Sequence, residues 1–295
     1  MIITFENSIE NYENIIREIE SVDIHYAIAT ESDNNEISDD DKKSDSVINK
    51  IITAISEMIK IALANLETFK QKLANSFQNF MMTNDGYEKK LRIAETNTKP
   101  LNAVRLITYT YNDDILTNTL NKFKPIIDKC ISTLEINSEE DLQSSINRKD
   151  LLSLSQKDME RQVMAMLGAS KENSRIQIYF HELKKEFRGE KKERIIKKSE
   201  ISSYRKLISN VKQINIELSN LQLYMAKKMN QIESRIKIKM KSRDISQKIK
   251  NALKQRLGNL ISLYASFTAF LEVYYVMKIE QVLNARVVLK RLYQF

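Results

Sequence analysis

The sequence predicts a mainly α fold, an elongated helical bundle with long antiparallel helices and a small strand-containing element in the middle. Only 4 glycines and 2 prolines occur in 295 residues. Many-stranded sandwiches and barrels need these residues for their tight turns, so their scarcity argues against such folds. Apolar residues instead recur at intervals of three and four over long stretches, which is the pattern of helices with one buried face.

The first predicted element is a short acidic helix within residues 1–30. Its apolar stripe is formed by Ile9, Tyr12, Ile15, Ile16 and Ile19. Residues 31–46 are rich in carboxylates and almost without apolar side chains, so we expect a disordered acidic linker. Residues 1–46 carry thirteen acidic side chains against three basic ones, a net charge of −10. Because the whole chain has a net charge of +8, residues 47–295 carry a net charge of +18. This split suggests a polyanionic partner, a head that masks a basic body, or both.

Residues 47–134 are predicted to form a long helix followed by a small α/β element. One apolar face continues over residues 47–80, and Asp45 or Ser46 can cap the helix. The Asn-Asp-Gly sequence at 84–86 predicts its end. Residues 104–111, VRLITYTY, are β-branched and aromatic and form the best strand candidate. A further helix is expected to follow, kinked or restarted at Pro125.

Residues 135–155 are polar and rich in serine, which predicts a linker. Residues 156–295 are predicted to form a basic helical domain that ends in a helical hairpin, with one helix near 200–240 and a second near 246–290. Two stretches stay ambiguous. Residues 176–187 fit a strand or a helix, and the charged residues after Gly189 fit a strand or a loop.

The positive charge is concentrated between residues 181 and 256, which contain twenty-two Lys and Arg against eight acids, a net charge of +14. Between Arg235 and Arg243 every second residue is Lys or Arg. Alternate residues of a helix point around much of its surface, so this alternation predicts a cationic rod that neutralises phosphates without reading bases. The alternative is the solvated surface of a lysine-rich protein. No helix-turn-helix, zinc-finger or RNA-recognition signature is present. The predicted nucleic-acid-binding residues are Lys227, Lys228, Arg235, Lys237, Lys239, Lys241, Arg243, Lys248 and Lys250.

The reactive residues do not form a recognisable catalytic or metal-binding pattern. Cys130 is alone, so the chain can form no internal disulfide and no cysteine-based zinc cluster. His25 and His181 stand outside any hydrolase or metalloprotease motif, and the glycines are too far apart for a phosphate-binding loop. We therefore expect no enzymatic activity, no cofactor and no metal.

Residues 258–277 form a nearly uncharged stretch that contains only Glu272 as a charged residue. It is long enough to cross a bilayer, but its serine, threonine and tyrosine content favours a buried bundle helix. Membrane insertion and an interfacial or partner-binding helix are the alternatives. The N-terminus lacks the pattern of a secretory signal, which predicts a cytoplasm-like compartment for synthesis.

The layout of acidic head, long helix and terminal helical pair, with the segments KPLNAVRLITYTYND and YFHELKKEFRGEKKE, resembles uncharacterised virion-associated proteins of large tailed phages of low-GC Gram-positive bacteria. The resemblance implies a structural or internal-head protein, made in the host bacterial cytoplasm and located in the virion. Its implied partners are other virion proteins, further copies of itself and DNA that is bound non-specifically.

Residues Ala29, Thr30 and Glu31 resemble the cleavage sites of prohead proteases, which makes residues 1–31 a candidate pro-segment. Their removal takes away seven acids and Arg17 and would raise the net charge from +8 to +14. Two other functions stay open. One is a membrane-active, pore-forming or ejected protein that inserts residues 258–277, and the other is a cytoplasmic coiled-coil adaptor.

Overall fold

The computed structural model describes residues 40–169, 176–240 and 246–295 and confirms a mainly α fold. The predicted helix within residues 1–30 and the cleavage site at Ala29 and Glu31 lie outside these residues. The helices and strands are α1 Asp40–Asn97, β1 Ala103–Tyr109, α2 Asp113–Ser132, α3 Glu139–Asn147, α4 Gln156–Leu167, α5 Ile176–Arg188, β2 Lys191–Lys197, α6 Ile201–Ser209, α7 Val211–Met240 and α8 Gln247–Tyr293.

Helix α8 is the central element of the bundle. Every residue from 259 to 275 is buried, and the helix contacts α1 to α7 together with strand β1. A helix that is apolar around its whole circumference is stable in water only when other elements cover all its sides. Phe123 of α2 packs against Phe267 and Phe270 of α8, with ring centroids 5.2 and 5.8 Å apart. The nearly uncharged stretch at 258–277 is therefore a core helix of the described bundle.

The two other long helices lie along α8 in opposite directions. The Tyr274 hydroxyl of α8 is 3.5 Å from Glu217 Oε2 of α7. Because α7 ends at Met240 and α8 begins at Gln247, this pair is the predicted antiparallel hairpin. Helix α1 runs parallel to α8, because Phe77 packs near Tyr275 and Tyr87 packs near Phe295. The start of α1 consequently lies toward the same end of the bundle as the start of α8.

The boundaries predicted for the first long helix are wrong at both ends. Helix α1 begins at Asp40, within the predicted linker 31–46, and continues for 58 residues through the Asn-Asp-Gly sequence. Asn84 is 1% exposed, and its side-chain amide donates to Glu88 Oε1 and to the Ile208 carbonyl. Its Oδ1 accepts from Arg286 at 2.7 Å. These tertiary bonds hold Asn84 inside the helix, although its local preference is for a turn.

The linker predicted at 135–155 is also wrong, because this segment is folded into the core. It contains α3 and a 3₁₀ turn at Leu151–Ser153, and both Leu142 and Leu152 are buried. The serines that suggested a linker are helix caps. Ser138 Oγ accepts from the Asp141 amide at 3.1 Å, and Ser155 Oγ accepts from the Asp158 amide at 3.2 Å.

Two buried side chains of α8 attach this segment to the core. Arg256, which is 2% exposed, donates to Ser145 Oγ at 2.7 Å and to the Thr133 carbonyl. Asn259 Nδ2 donates to the carbonyls of Leu152 and Leu154 at 3.1 and 2.9 Å. Buried polar groups need such partners, so the irregular backbone at 150–155 is fixed against α8.

Strands β1 and β2 form an antiparallel two-stranded sheet, hereafter the ribbon, in which Ala103 pairs with Lys197 and Tyr109 pairs with Lys191. The strand predicted at 104–111 is confirmed as β1, which ends at Tyr109, two residues before the predicted end. Of the ambiguous stretches, residues 176–187 belong to helix α5, and the charged stretch after Gly189 contains strand β2. Pro125 lies inside the continuous helix α2, whereas the predicted helix near 200–240 is divided into α6 and α7 at Asn210.

Candidate nucleic-acid interface

Three of the predicted nucleic-acid-binding residues are paired with acids of the same chain. Lys228 Nζ lies 3.3 Å from Asp128, Arg235 Nη1 lies 3.6 Å from Glu135, and Lys248 Nζ lies 3.5 Å from Glu139. These acids come from the end of α2, the following connection and the start of α3. Their carboxylates reduce the positive potential of the α7–α8 end of the bundle.

The pair at Lys228 is part of a larger cluster around Tyr224. The Tyr224 hydroxyl donates to Asp128 Oδ1 at 2.5 Å, and the ammonium groups of Lys124 and Lys228 lie 5.2 and 5.6 Å from its ring centroid. Burial and the hydrogen bond to Asp128 raise the pKa of the Tyr224 phenol. Lys228 therefore already has an anionic and an aromatic partner within the fold.

The other predicted residues do not form one described surface. Lys227 is exposed on α7, whereas Lys250 is 3% exposed and is enclosed within the bundle. Lys237 and Lys239 lie on α7, where only their backbone is described, and Lys241 and Arg243 lie outside the described residues. Binding of nucleic acid by these nine residues as a set remains a prediction.

The ribbon presents a second basic surface that the sequence analysis did not identify. Its two strands contain five cationic side chains and one acidic side chain, a net charge of +4. Exposure alternates along β1, and the register pairs its exposed residues with every second residue of β2, which gives the ribbon an outward face. This outward face is formed by Ala103, Arg105, Ile107, Tyr109, Lys191, Glu193, Ile195 and Lys197.

The inward side of the ribbon is fixed to the core. Ile196 is fully buried, and Thr108 is 3% exposed and donates to Asn284 Oδ1 of α8 at 2.7 Å. Beyond the start of β1, the Leu101 amide donates to the Leu292 carbonyl at 2.9 Å. The outward face is consequently held in one orientation by the central helix α8.

A cluster of cations and aromatic rings closes one end of the outward face. The Arg188 guanidinium and the Lys191 ammonium lie 5.4 and 5.7 Å from the centroid of the Tyr109 ring. Arg188 also makes a two-pronged ion pair with Glu280 of α8, with a distance of 2.6 Å from Nε to Oε1. Burial raises the pKa of the neighbouring Tyr111 phenol, whose hydroxyl is 3.4 Å from Glu280.

The sequence contains a signal for this face that local reasoning could have used. In KKERIIK the residues at 191, 193, 195 and 197 alternate with those that point inward, and in AVRLITY the residues at 103, 105, 107 and 109 do the same. Each strand by itself is short and ambiguous. Only their pairing shows that two charged, half-apolar strands share one open face.

Helix α8 also bears on the question of membrane insertion. By length and composition Lys248–Tyr293 could cross a bilayer, since it contains an 18-residue window with a mean hydropathy of 1.4, but 94% of that window is buried inside the bundle. The core helix of a water-soluble protein passes the same test. In the described bundle, insertion of α8 would require its contacts with α1 to α7 to be broken.

The nucleophile and metal-ligand candidates are dispersed. Burial raises the pKa of the Cys130 thiol to about 11, which keeps this buried side chain protonated at neutral pH. His181 is exposed on α5. Among residues 40–169, 176–240 and 246–295, no group of three or more His, Cys, Asp or Glu side chains is placed to hold a metal ion.

Comparisons of the chain with protein-family models, with curated proteins and with solved structures found no match.

Proposed function

We propose that this protein is a non-enzymatic structural protein of a tailed-phage particle, whose helical body contacts DNA through basic surface residues without reading its sequence. The observation that carries the nucleic-acid part is the outward face of the ribbon, where three cations (Arg105, Lys191 and Lys197) and one acid (Glu193) lie on two strands fixed to the core. The phage part rests on the resemblance of the chain's layout to virion-associated proteins.

The electrostatic part has a quantitative test. Binding that neutralises phosphates releases counterions, so the logarithm of the association constant falls linearly with the logarithm of salt concentration, by about 0.9 for each phosphate contacted. We expect a slope of roughly −3 for duplexes of unrelated sequence, since the three cations of the outward face can each reach one phosphate. Fluorescence anisotropy between 50 and 200 mM NaCl measures the slope, and a protein that does not bind duplex at 50 mM contradicts the proposal.

The location in a particle is tested by mass spectrometry of purified virions. Peptides of the chain are expected in the particles, together with a new N-terminus at Ser32 if residues 1–31 are a pro-segment. Absence of the chain from particles contradicts the virion proposal. Presence of the chain with its original N-terminus contradicts the cleavage after Glu31 but leaves the location intact.

Membrane activity is the second candidate, because α8 has the length and hydropathy of a spanning helix. Flotation with liposomes at high salt separates the two functions. Inserted helices remain bound, whereas purely electrostatic association is lost as the salt screens it. A cytoplasmic coiled-coil adaptor would show neither property and would form oligomers in solution.

A further inference from the structure

The outward face of the ribbon combines exposed isoleucines with charges at both ends. Ile107 is 70% exposed and Ile195 is 58% exposed, and the register places them diagonally across the two strands. Lys191 and Lys197 lie at opposite ends of β2, and Arg105 lies between them on β1, where its Nε is 3.9 Å from Oε1 of the exposed Glu193. An exposed pair of this kind is weak, so the Arg105 side chain can exchange Glu193 for a phosphate. Exposed β-branched side chains at the centre of a cationic face lose their contact with water when a partner covers them.

The dimensions of this face match one kind of polyanion. Two paired strands are about 4.8 Å apart, and seven residues extend over about 24 Å. The major groove of B-form DNA is about 12 Å wide and accepts a two-stranded ribbon, and 24 Å corresponds to about seven base pairs at 3.4 Å each. Phosphates line both sides of the groove, while thymine methyl groups form apolar patches on its floor.

We infer that the outward face of the ribbon enters the major groove of double-stranded DNA. Lys191, Lys197 and Arg105 contact phosphates along the groove, and Ile107 and Ile195 pack against thymine methyl groups. This inference rests on the proposed DNA contact, names its site and its ligand, and adds a preference for thymine-containing duplexes to the sequence-independent phosphate contacts.

The arrangement favours duplex DNA over a single strand. Proteins that bind single strands without sequence preference stack successive bases on several aromatic rings. Tyr109 is the aromatic residue on the outward face, and cations already lie near its ring. The ribbon is also held by Thr108 and by the Leu101 amide, so it needs no ordering before it binds, and a pre-formed face suits a regular groove.

The experiment uses the full-length chain and matched duplexes of 16 base pairs that contain thymine or, in its place, deoxyuridine, which lacks the methyl group. We expect tighter binding of the thymine duplex by about fourfold for each methyl group covered, which corresponds to about 0.8 kcal/mol for one buried methylene-sized group. The Ile107→Ser/Ile195→Ser variant should abolish this difference while keeping the wild-type salt slope.

The charge variant Lys191→Gln/Lys197→Gln should bind more weakly and reduce the salt slope by about 1.8, at 0.9 for each lost phosphate contact, with the thymine preference retained. Lys60→Gln/Lys72→Gln makes the same change of charge at exposed positions of α1 and is the control, with the wild-type slope expected. Circular dichroism and urea unfolding confirm that each variant is folded.

The outcomes separate the two levels of the proposal. If the wild type binds duplex and the Lys191→Gln/Lys197→Gln variant behaves like the control, the ribbon is not the contact, although the proposed DNA binding stands. If thymine and deoxyuridine duplexes bind equally to the wild type, the groove placement of the isoleucines is wrong. If the wild type binds no duplex but binds vesicles of anionic lipid through the ribbon residues, both the inference and the proposed DNA contact are overturned.

Discussion

Replacement of Gly86 by alanine tests whether α1 is one continuous helix. The sequence predicts a turn at Asn84-Asp85-Gly86, whereas the structure has Gly86 inside α1, with nothing within 4 Å of the position that a Cβ would take. Glycine in a helix interior is less stable than alanine by about 0.5–1 kcal/mol. The Gly86→Ala variant should therefore raise the free energy of unfolding by about that amount.

The Gly189→Ala variant is the contrasting case. Gly189 has a φ of +56°, and a Cβ there would lie 2.6 Å from the Thr110 carbonyl oxygen. A left-handed conformation costs roughly 1–2 kcal/mol for alanine, and relief of an overpacked contact costs a further 1–3 kcal/mol. We expect the free energy of unfolding to fall by roughly 2–5 kcal/mol, the sum of these two contributions.

Urea unfolding followed by circular dichroism at 222 nm measures both variants against the wild type under one set of conditions. If the two Gly→Ala variants change the free energy of unfolding in opposite directions, the backbone conformation at each glycine, and not the added methyl group, decides the change in stability. If Gly86→Ala instead lowers stability by about 1 kcal/mol or more, Gly86 has a positive φ, and α1 ends where the sequence predicts. A neutral Gly189→Ala would contradict the left-handed turn before β2.

Three further predictions concern the core, one ion pair and the thiol. Phe123→Ala should lower the free energy of unfolding by about 3–5 kcal/mol in urea titrations, because the fully buried ring packs on Phe267 and Phe270; a loss below 1 kcal/mol would contradict this packing. Arg188→Met should lower the free energy of unfolding by about 1–3 kcal/mol in thermal unfolding, since it leaves the partly buried Glu280 without its two-pronged partner. Glu280→Gln should lower the free energy of unfolding by less, because a neutral amide needs no counterion. Cys130 should react with a disulfide reagent only as fast as the protein opens, because the thiol is buried and its pKa is raised to about 11. Since the folded pKa is above the unfolded value of 9.0, the stability linked to this thiol is present below pH 9 and is lost as the pH rises toward 11; urea midpoints of the wild type and Cys130→Ala across this range measure the loss.

Much of the fold was predictable because its signals are local. The helical periodicity of α7 and α8, the β-branched run of β1 and the apolar stretch of α8 each occupy one continuous segment. Two of the predictions that failed concern Asn84 and residues 135–155, where the local signal is a turn or a linker. In both places, hydrogen bonds with distant parts of the chain, to Arg286 for Asn84 and from Asn259 for Leu152, stabilise a different structure.

The candidate site was less predictable than the fold. Charge counting found the basic stretch, but it could not show that Asp128, Glu135 and Glu139 lie against Lys228, Arg235 and Lys248. It also could not show the partnership of β1 and β2, which are separated along the chain by α2 to α5. An ion pair or a strand pair depends on positions in space, and the one-dimensional pattern contains no register for either.

The sequence by itself determined the mainly α class, the strand β1, the terminal helical hairpin and the contrast between an acidic head and a basic body. Periodicity, composition and charge are properties of the chain before it folds, so they could be read directly. The tertiary structure decided which cations are neutralised, that α8 is covered on all sides, and that two short strands present one open basic face. Exposure is decided by what packs against a residue, and those neighbours come from distant parts of the chain.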